Sequence, residues 1–348
     1  MTLARHLGLA VLAALVLAVL TIRLGPFRDF QIAEVAAYVA AVAGLTVLIG
    51  HSGQVSIGHG AFMAIGAYVG ALILLHLHWP LELVFAAGAA MAAVAGGIVG
   101  LAAARLRGPY LAGATLMLAV ALPSIADKYQ SVFGGDQGLS VAIVTPTWLG
   151  ATFPAERWVV WVACAATLVT LVLLANLVRS RIGRSWRAIR DNEIAASLSG
   201  LNVARLQVLA FVISSACAGL GGTLLAIVTS IASPGAFTLT LSIGVLTAAI
   251  IGGLGSLLGA IWGSLVLIFL PTYVTNVATS HGLSSAASSN VPIAVYGVVL
   301  ILVMLLFPAG IQGGIRRLLG LAGPTATGPF HALRRHAPAS EHQKEGTT

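Results

Sequence analysis

Charge is scarce in this chain of 348 residues: only 8% are Asp, Glu, Lys or Arg, where an ordinary soluble domain carries about 25%. A single soluble core stops growing near roughly 250–300 residues. A water-soluble fold could not bury a sequence that is 58% hydrophobic. Lysine is almost missing. Lys128 and Lys344 are the two present, and neither lies in the Gly-Lys-Ser/Thr run that a phosphate-cradling loop requires. The chain is therefore no ATPase. Cysteine is limited to Cys164 and Cys217, each inside an apolar run. That pattern offers neither a disulfide framework nor a zinc site, and both read as small buried hydrophobes. No nucleophile–base–acid set and no His-x-x-x-His pair falls on one helix face, so neither a catalytic nor a metal-binding residue is expected, and the chain is not read as an enzyme. The apolar runs also lack deep carboxylates: Glu34, Glu82 and Asp127 sit near their ends. An ion-coupled carrier usually needs such groups at depth.

What is present is long apolar stretches. A helix needs about 20 apolar residues to cross a hydrocarbon core of about 30 Å. Spans are predicted at 7–22, 31–50, 58–75, 82–104, 110–126, 158–178, 206–230 and 291–307. The first is read as a retained span, because no small-residue cleavage site precedes Arg23. A further apolar stretch, 237–270, is interrupted by Gly252, Gly253 and Gly255.

The basic residues set the orientation. Arg179, Arg181, Arg184, Arg187, Arg190 and Arg205 form the densest cluster, and Arg316, Arg317, Arg334 and Arg335 form another. Both belong on the cytoplasmic side. Stretch 237–270 must then enter and return, as two short helices hinged at 252–256. Broken backbone at that depth needs protein or a watery cavity around it. The expectation is an all-α polytopic bundle of about 8–10 membrane segments with both termini cytoplasmic. Fourteen of the eighteen basic residues then lie inside. The net charge of +8 is thus a topology signal, not a surface for nucleic acid.

Residues 1–320 read as one membrane domain and 321–348 as a disordered cytoplasmic tail. Loop 128–157, with Gly134, Gly135, Asp136 and Gly138, is expected outside and partly ordered, and 272–290 is expected as a second outer loop. Small residues recur every fourth position at Gly66 and Gly70, at Gly96 and Gly100, and at Gly255, Gly259 and Gly263. That spacing lets helices approach closely.

Two places carry candidate chemistry. The cytoplasmic run 179–202 has Asp191 as an N-cap and Gly200 as a stop, with Ile194, Leu198 and Leu201 on one stripe. It predicts a short amphipathic helix held at the membrane surface, either lying on anionic lipid or docking a cytoplasmic partner. Gln54, Ser56 and His59 are polar among apolar neighbours. They either face a path or satisfy broken backbone near Gly53.

The run Gly183-Arg184-Ser185-Trp186-Arg187-Ala188-Ile189-Arg190-Asp191-Asn192-Glu193-Ile194-Ala195-Ala196, followed by Leu198 and Gly200, resembles the cytoplasmic loop of LivM-type permeases of branched-chain amino acid ABC importers. The stretch Gly50-His51-Ser52-Gly53-Gln54-Val55-Ser56-Ile57-Gly58-His59-Gly60 is similar to a membrane segment of that family. So are Gly134-Gly135-Asp136-Gln137-Gly138, Ile251-Gly252-Gly253-Leu254-Gly255 and Phe307-Pro308-Ala309-Gly310. The resemblance implies that the pattern of Glu193, Ala195, Ala196 and Gly200 forms a coupling helix that sits on an ATPase, with 183–200 as this chain's cytoplasmic contribution. It implies two cytoplasmic ABC ATPase subunits that hydrolyse ATP, with no cofactor on this chain. It further implies a homologous LivH-like permease, an extracytoplasmic solute-binding protein, and a multi-pass place in a bacterial plasma (inner) membrane. The solute would be a branched-chain or other amino acid. Urea or a short amide remains an alternative within the superfamily, and an ATP-independent channel or carrier remains one outside it.

Overall fold

The computed structural model describes residues 25–77, 79–104, 109–141, 154–280, 285–307 and 309–320, with scattered helical positions before 25. Four helices come first: α1 (Pro26–Ser52), α2 (His59–His76), α3 (Leu81–Ala103) and α4 (Pro109–Lys128). The short α5 (Gln130–Phe133) and strand β1 (Leu139–Ser140) follow. Next come α6 (Ala155–Arg179), α7 (Arg181–Asp191), α8 (Glu193–Leu198) and α9 (Val203–Thr229). The chain continues through β2 (Ile231–Ala232), α10 (Leu239–Gly252), α11 (Leu257–Ser280), α12 (Ser285–Leu306) and α13 (Gly310–Leu318). Among the described residues, seven helices are long and apolar enough to cross a bilayer. Most of the expected span at 7–22 and all of the tail at 321–348 lie outside the described residues.

Helix α9 is the axis. The most apolar windows of α1 and α9 are 83% and 78% buried, while those of α4 and α11 are only 22% buried. The first pair forms the interior, and the second turns its apolar side outward. Small residues make the close contacts. A Cβ on Gly222 of α9 would overlap the Met63 carbonyl of α2, and one on Gly66 of α2 would overlap the Gly219 carbonyl. On the other side, Gly96 of α3 faces Ser215, and Gly100 faces Phe211 and Val208. The four-residue spacing thus becomes helix-on-helix contact along α9, in place of a greasy zipper of large side chains. Thr223 adds a bond across the seam, its Oγ1 donating to the Gly66 carbonyl at 2.9 Å.

The glycine-interrupted stretch folds back as expected, with α10 and α11 antiparallel: Gly252 lies against Gly259, and Gly263 against Ala248. The arms differ in length, however. α10 has 14 residues and α11 has 24, reaching Ser280. The expected loop at 272–290 is therefore helical at 272–280 and again from 285. The threonine hydroxyls of 272–280 are satisfied inside the helix. Thr272, Thr275 and Thr279 donate to the carbonyls of Ile268, Pro271 and Thr275 at 2.8, 2.9 and 3.0 Å. A threonine that bonds back four residues removes the polarity that marks a loop.

The first arginine cluster and, among the described residues of the second, Arg316 and Arg317 arrive at one end of the bundle, called the basic face below. Gly310, at the start of α13, abuts Gly253 of the hinge, and Trp262 Nε1 of α11 donates to Gln312 Oε1 of α13 at 3.0 Å. At the opposite end, residues 128–141 form an ordered turn. There β1 pairs with β2 in antiparallel register, Leu139 opposite Ala232. The rings of Tyr68 and Phe133 meet edge-on at 5.0 Å beneath it.

Candidate functional site on the basic face

The arginine-rich run forms two helices. Ser180 caps α7, its hydroxyl accepting from the Ile182 N–H at 3.1 Å. Asn192 caps α8, accepting from the Ala195 N–H at 3.0 Å. The expected cap, Asp191, is instead the last residue of α7, so Arg184, Arg187 and Arg190 are themselves helical. Gly200 ends the pair as expected, with φ +83° in the left-handed region that glycine favours.

α7 is held by its inner stripe. Gly183, Trp186 and Ile189 are buried, spaced by threes. The Trp186 indole is fully buried, and its Nε1 donates to the Leu206 carbonyl of α9 at 2.8 Å. A Cβ at Gly183 would overlap the Val178 carbonyl at the end of α6. Arg184 and Arg187 stay on the outer side, donating to the carbonyls of Arg179 and Gly183 at 3.3 Å each. Arg190 turns inward, its Nη1 donating to the Gly50 carbonyl at the end of α1.

α8 presents the reverse pattern. Ala196 is buried, while Ile194 and Leu198 are 72% and 84% exposed. Ala195 is exposed and Glu193 half-buried. A notch of about 300 Å³ lies beside Ile194, between α8 and the start of α9, lined in part by Glu193, Ser197 and Gln207. Two large aliphatic side chains in water on a doubly capped helix give a rigid apolar tip. Burying each completely would contribute about 1.5–3 kcal/mol.

The second candidate group lies deeper. After α1, the chain does not start a new helix for six residues. Gln54 Nε2 donates to the Gln207 carbonyl of α9 at 3.3 Å, whereas His59 Nε2 meets Ser214 Oγ at 2.7 Å. Gln207 and Ser214 are seven residues apart on one helix, so the non-helical segment climbs about 10 Å along α9. Several of the groups freed on the way find partners, while Gln54 Oε1 is buried without one. Thr115 Oγ1 of α4 accepts from the Ile57 N–H at 3.0 Å, Ser242 Oγ of α10 accepts from the Gly60 N–H at 3.1 Å, and Ser56 Oγ meets His59 Nδ1 at 3.2 Å. Ser56 and His59 are fully buried, and Gln54 is 7% exposed. The structure thus brings Ser56 and His59 together inside the bundle, and Gln54 one step below them. Sequence reasoning missed Ser214, Thr115 and Ser242. Hydroxyls on three other helices carry no signal of their own until the fold gathers them.

An open groove of about 1350 Å³ lies elsewhere, between α1, α6 and α11. Its walls are almost wholly apolar, with Val39, Leu171 and Phe269 among them, and Arg28, Gln31 and Asn276 also line it. Sequence reading did not find it, because its residues are ordinary span residues.

The described residues thus form a multi-helix bundle that exposes a capped, apolar-tipped helix beside its arginine cluster. The chain belongs to the family described as branched-chain amino acid transport system / permease component, whose sequence profile matches residues 29–308. It is 33% identical over 254 residues to the high-affinity branched-chain amino acid transport system permease protein LivM of Escherichia coli. That match covers 66% of this chain and 60% of the relative, so the chain spans somewhat under two thirds of that protein's length. It is 27% identical over 296 residues to the permease protein LivH of Salmonella typhimurium, covering 79% of this chain and 91% of the relative. No solved structure matches the chain.

Proposed function

We propose that this chain is a membrane-spanning permease subunit of an ATP-driven importer of the ABC class, carrying branched-chain or related aliphatic amino acids inward with a homologous permease partner. The observation that carries the proposal is the pair Ile194 and Leu198, exposed on α8 while α7 behind it is anchored by Trp186. Such a tip on the cytoplasmic face supports a partner that covers it, and in the coupling reading that partner is an ATPase. Arg184, Arg187, Glu193 and Ala195 complete that surface, with Ala196 packed behind it, and Gly183 and Gly200 shape it. Solute would arrive from an extracytoplasmic binding protein. ATP would be bound and hydrolysed by two partner subunits, so this chain needs no cofactor.

The groove between α1, α6 and α11 supports an aliphatic solute over urea, because its walls offer few hydrogen-bonding groups. We place the path along this groove, with the homologous subunit closing its open side. Gln54, Ser56 and His59 would join the path only if α9 and α10 parted from α2. In the closed arrangement Ser56 accepts from the Gly58 N–H of the climbing segment, while Gln54 and His59 tie that segment to Gln207 and Ser214 of α9.

Co-purification from native membranes in mild detergent tests the reading. The intact chain is compared with Ile194→Asp and Glu193→Arg, and bound proteins are identified. A P-loop ATPase should accompany the intact chain and be lost from Ile194→Asp while the chain stays folded. If none accompanies the intact chain under any gentle condition, the ABC reading is wrong.

A further inference from the structure

Arg190 stands apart from Arg184 and Arg187, whose hydrogen bonds stay within five residues along the chain, because its own reaches across to the end of α1. Its fork has two targets. Nη1 donates to the Gly50 carbonyl, while Nε and Nη2 donate to Asp191 Oδ1 at 3.2 and 3.0 Å. The guanidinium is thus aimed by the neighbouring carboxylate. Its aliphatic stem covers Gly53, where a Cβ would come within 2.9 Å of Arg190 Cγ.

The grip falls where α1 most needs a partner. Helix ends leave their last carbonyls without an N–H from the next turn. The Ile49 and Leu48 carbonyls are taken by the N–H groups of Gly53 and Gln54 at 3.1 and 3.3 Å. The Gly50 carbonyl is taken by Arg190, which also sets a positive charge at the negative end of the helix dipole. Arg190 is therefore a C-terminal cap for α1 supplied by a different helix.

This capped end touches the other moving parts. Gly50 packs directly on the backbone of Gly255, in the turn between α10 and α11. Gly253 in the same turn packs on the Ala309 carbonyl and Gly310, where α13 begins. Gly53, Gly253, Gly255 and Gly310 all have positive φ, at 75°, 112°, 85° and 72°. The segment that leaves Gly53 climbs to His59. The other anchor of α7 is Trp186, on α9. A tilt of α7 about Trp186 therefore displaces the end of α1 relative to α9, and with it the foot of the climbing segment and the hinge turn.

We propose that Arg190 is a positioning residue that passes movement of α7–α8 to the bundle, by gripping Gly50 and Gly53 at the end of α1. The role rests on the reading of α8 as the ATPase dock, but its structural half does not depend on that reading. Arg190, with 43% of its side chain exposed, touches the bundle through Nη1 and its stem, and leaves Ile194 and Leu198 free for the partner.

The test compares the intact chain with Arg190→Gln and Arg190→Lys, in the complex as purified from membranes. Backbone hydrogen exchange is measured first. In Arg190→Gln, exchange at 48–58 and 253–256 rises at least roughly tenfold, as loss of one charge-assisted bond implies, while α9 keeps its protection. Arg190→Lys, which donates to Gly50 without the fork to Asp191, falls between. Unchanged exchange in those two stretches overturns the grip, and so does a rise spread over the whole bundle. The complex is then reconstituted, and leucine uptake per ATP hydrolysed is measured. In Arg190→Gln the ATPase remains bound and the ratio falls about tenfold or more. A ratio within about twofold of the intact chain overturns the transmission role. Loss of the ATPase from Arg190→Gln also overturns it, because Arg190 would then belong to the dock. Failure of the intact chain to hold any ATPase sinks the functional reading instead, and leaves the exchange result to judge the grip alone.

Discussion

Trp186 Nε1 donates to the carbonyl oxygen of Leu206 at 2.8 Å, and this bond joins the arginine-bearing helix α7 to the central helix α9. The indole is fully buried, so both its area and its single donor are spent on that contact. Trp186→Ala removes both and should cost about 3–5 kcal/mol, as for other buried aromatics. Trp186→Phe keeps most of the area and should cost much less. Thermal unfolding in detergent checks this. Equal melting temperatures for the intact chain and Trp186→Ala would show that α7 is not anchored there.

Close packing on α9 predicts opposite outcomes for two glycines. A Cβ at Gly222 overlaps the Met63 carbonyl, which belongs to helix backbone and cannot swing aside. Gly222→Ala should push α2 off α9 and reduce folded protein sharply, at a cost of about 1–3 kcal/mol or more. Gly113 on α4 is exposed, with nothing within 4 Å of a Cβ. Gly113→Ala should be neutral or stabilise by up to about 1 kcal/mol through helix propensity. Yields of monodisperse protein and unfolding midpoints read both. A tolerated Gly222→Ala would mean the α2–α9 contact is looser than described.

The contact between His59 Nε2 and Ser214 Oγ, at 2.7 Å, allows a choice between two magnitudes. Leaving a buried polar group unpaired in a soluble protein costs about 1–3 kcal/mol. Interhelical side-chain bonds in membranes couple by about 0.6 kcal/mol on average and about 1.7 at most. Ser214 lies on a helix, where its hydroxyl can fall back on the carbonyl four residues earlier. The lower figure is therefore expected. A double-mutant cycle with His59→Phe and Ser214→Ala should give a coupling of about 0.6–1.7 kcal/mol. A coupling near zero would mean that His59 packs only as a ring.

Much of this was legible because glycine, arginine and long apolar runs each have one physical meaning in a membrane. Gly252, Gly253 and Gly255 mark the return between α10 and α11, and the arginine clusters mark a common end. The length of α11 was not legible. Thr272, Thr275 and Thr279 read as loop residues, yet each hydroxyl bonds within its own helix. The helical nature of 181–191 was missed for a related reason. Arg181, Arg184 and Arg187 face outward while one tryptophan and two smaller residues make the inner stripe, too few to stand out. The inward turn of Arg190 has no sequence signal. It depends on where α1 ends, which only the folded bundle defines.

The two native thiols offer a test of the groove that needs no substitution. Cys164 and Cys217 are equally hidden by area, at 8% and 7% exposed. Their surroundings differ. Cys164 lines the groove between α1, α6 and α11, while Cys217 is on α9 with its Cβ facing Gly44 of α1. A small membrane-permeant maleimide should therefore modify Cys164 at least roughly tenfold faster than Cys217, which must wait for α1 and α9 to separate. Site-resolved mass spectrometry gives both rates. If the groove is the wall of the path, saturating leucine in the assembled complex should slow Cys164 and leave Cys217 unchanged. Slowing by urea but not by leucine would move the solute class to small amides. No effect of either solute, with Cys164 still the faster site, would show that the groove is accessible but carries no solute, and the path would then have to open between α2 and α9, past His59.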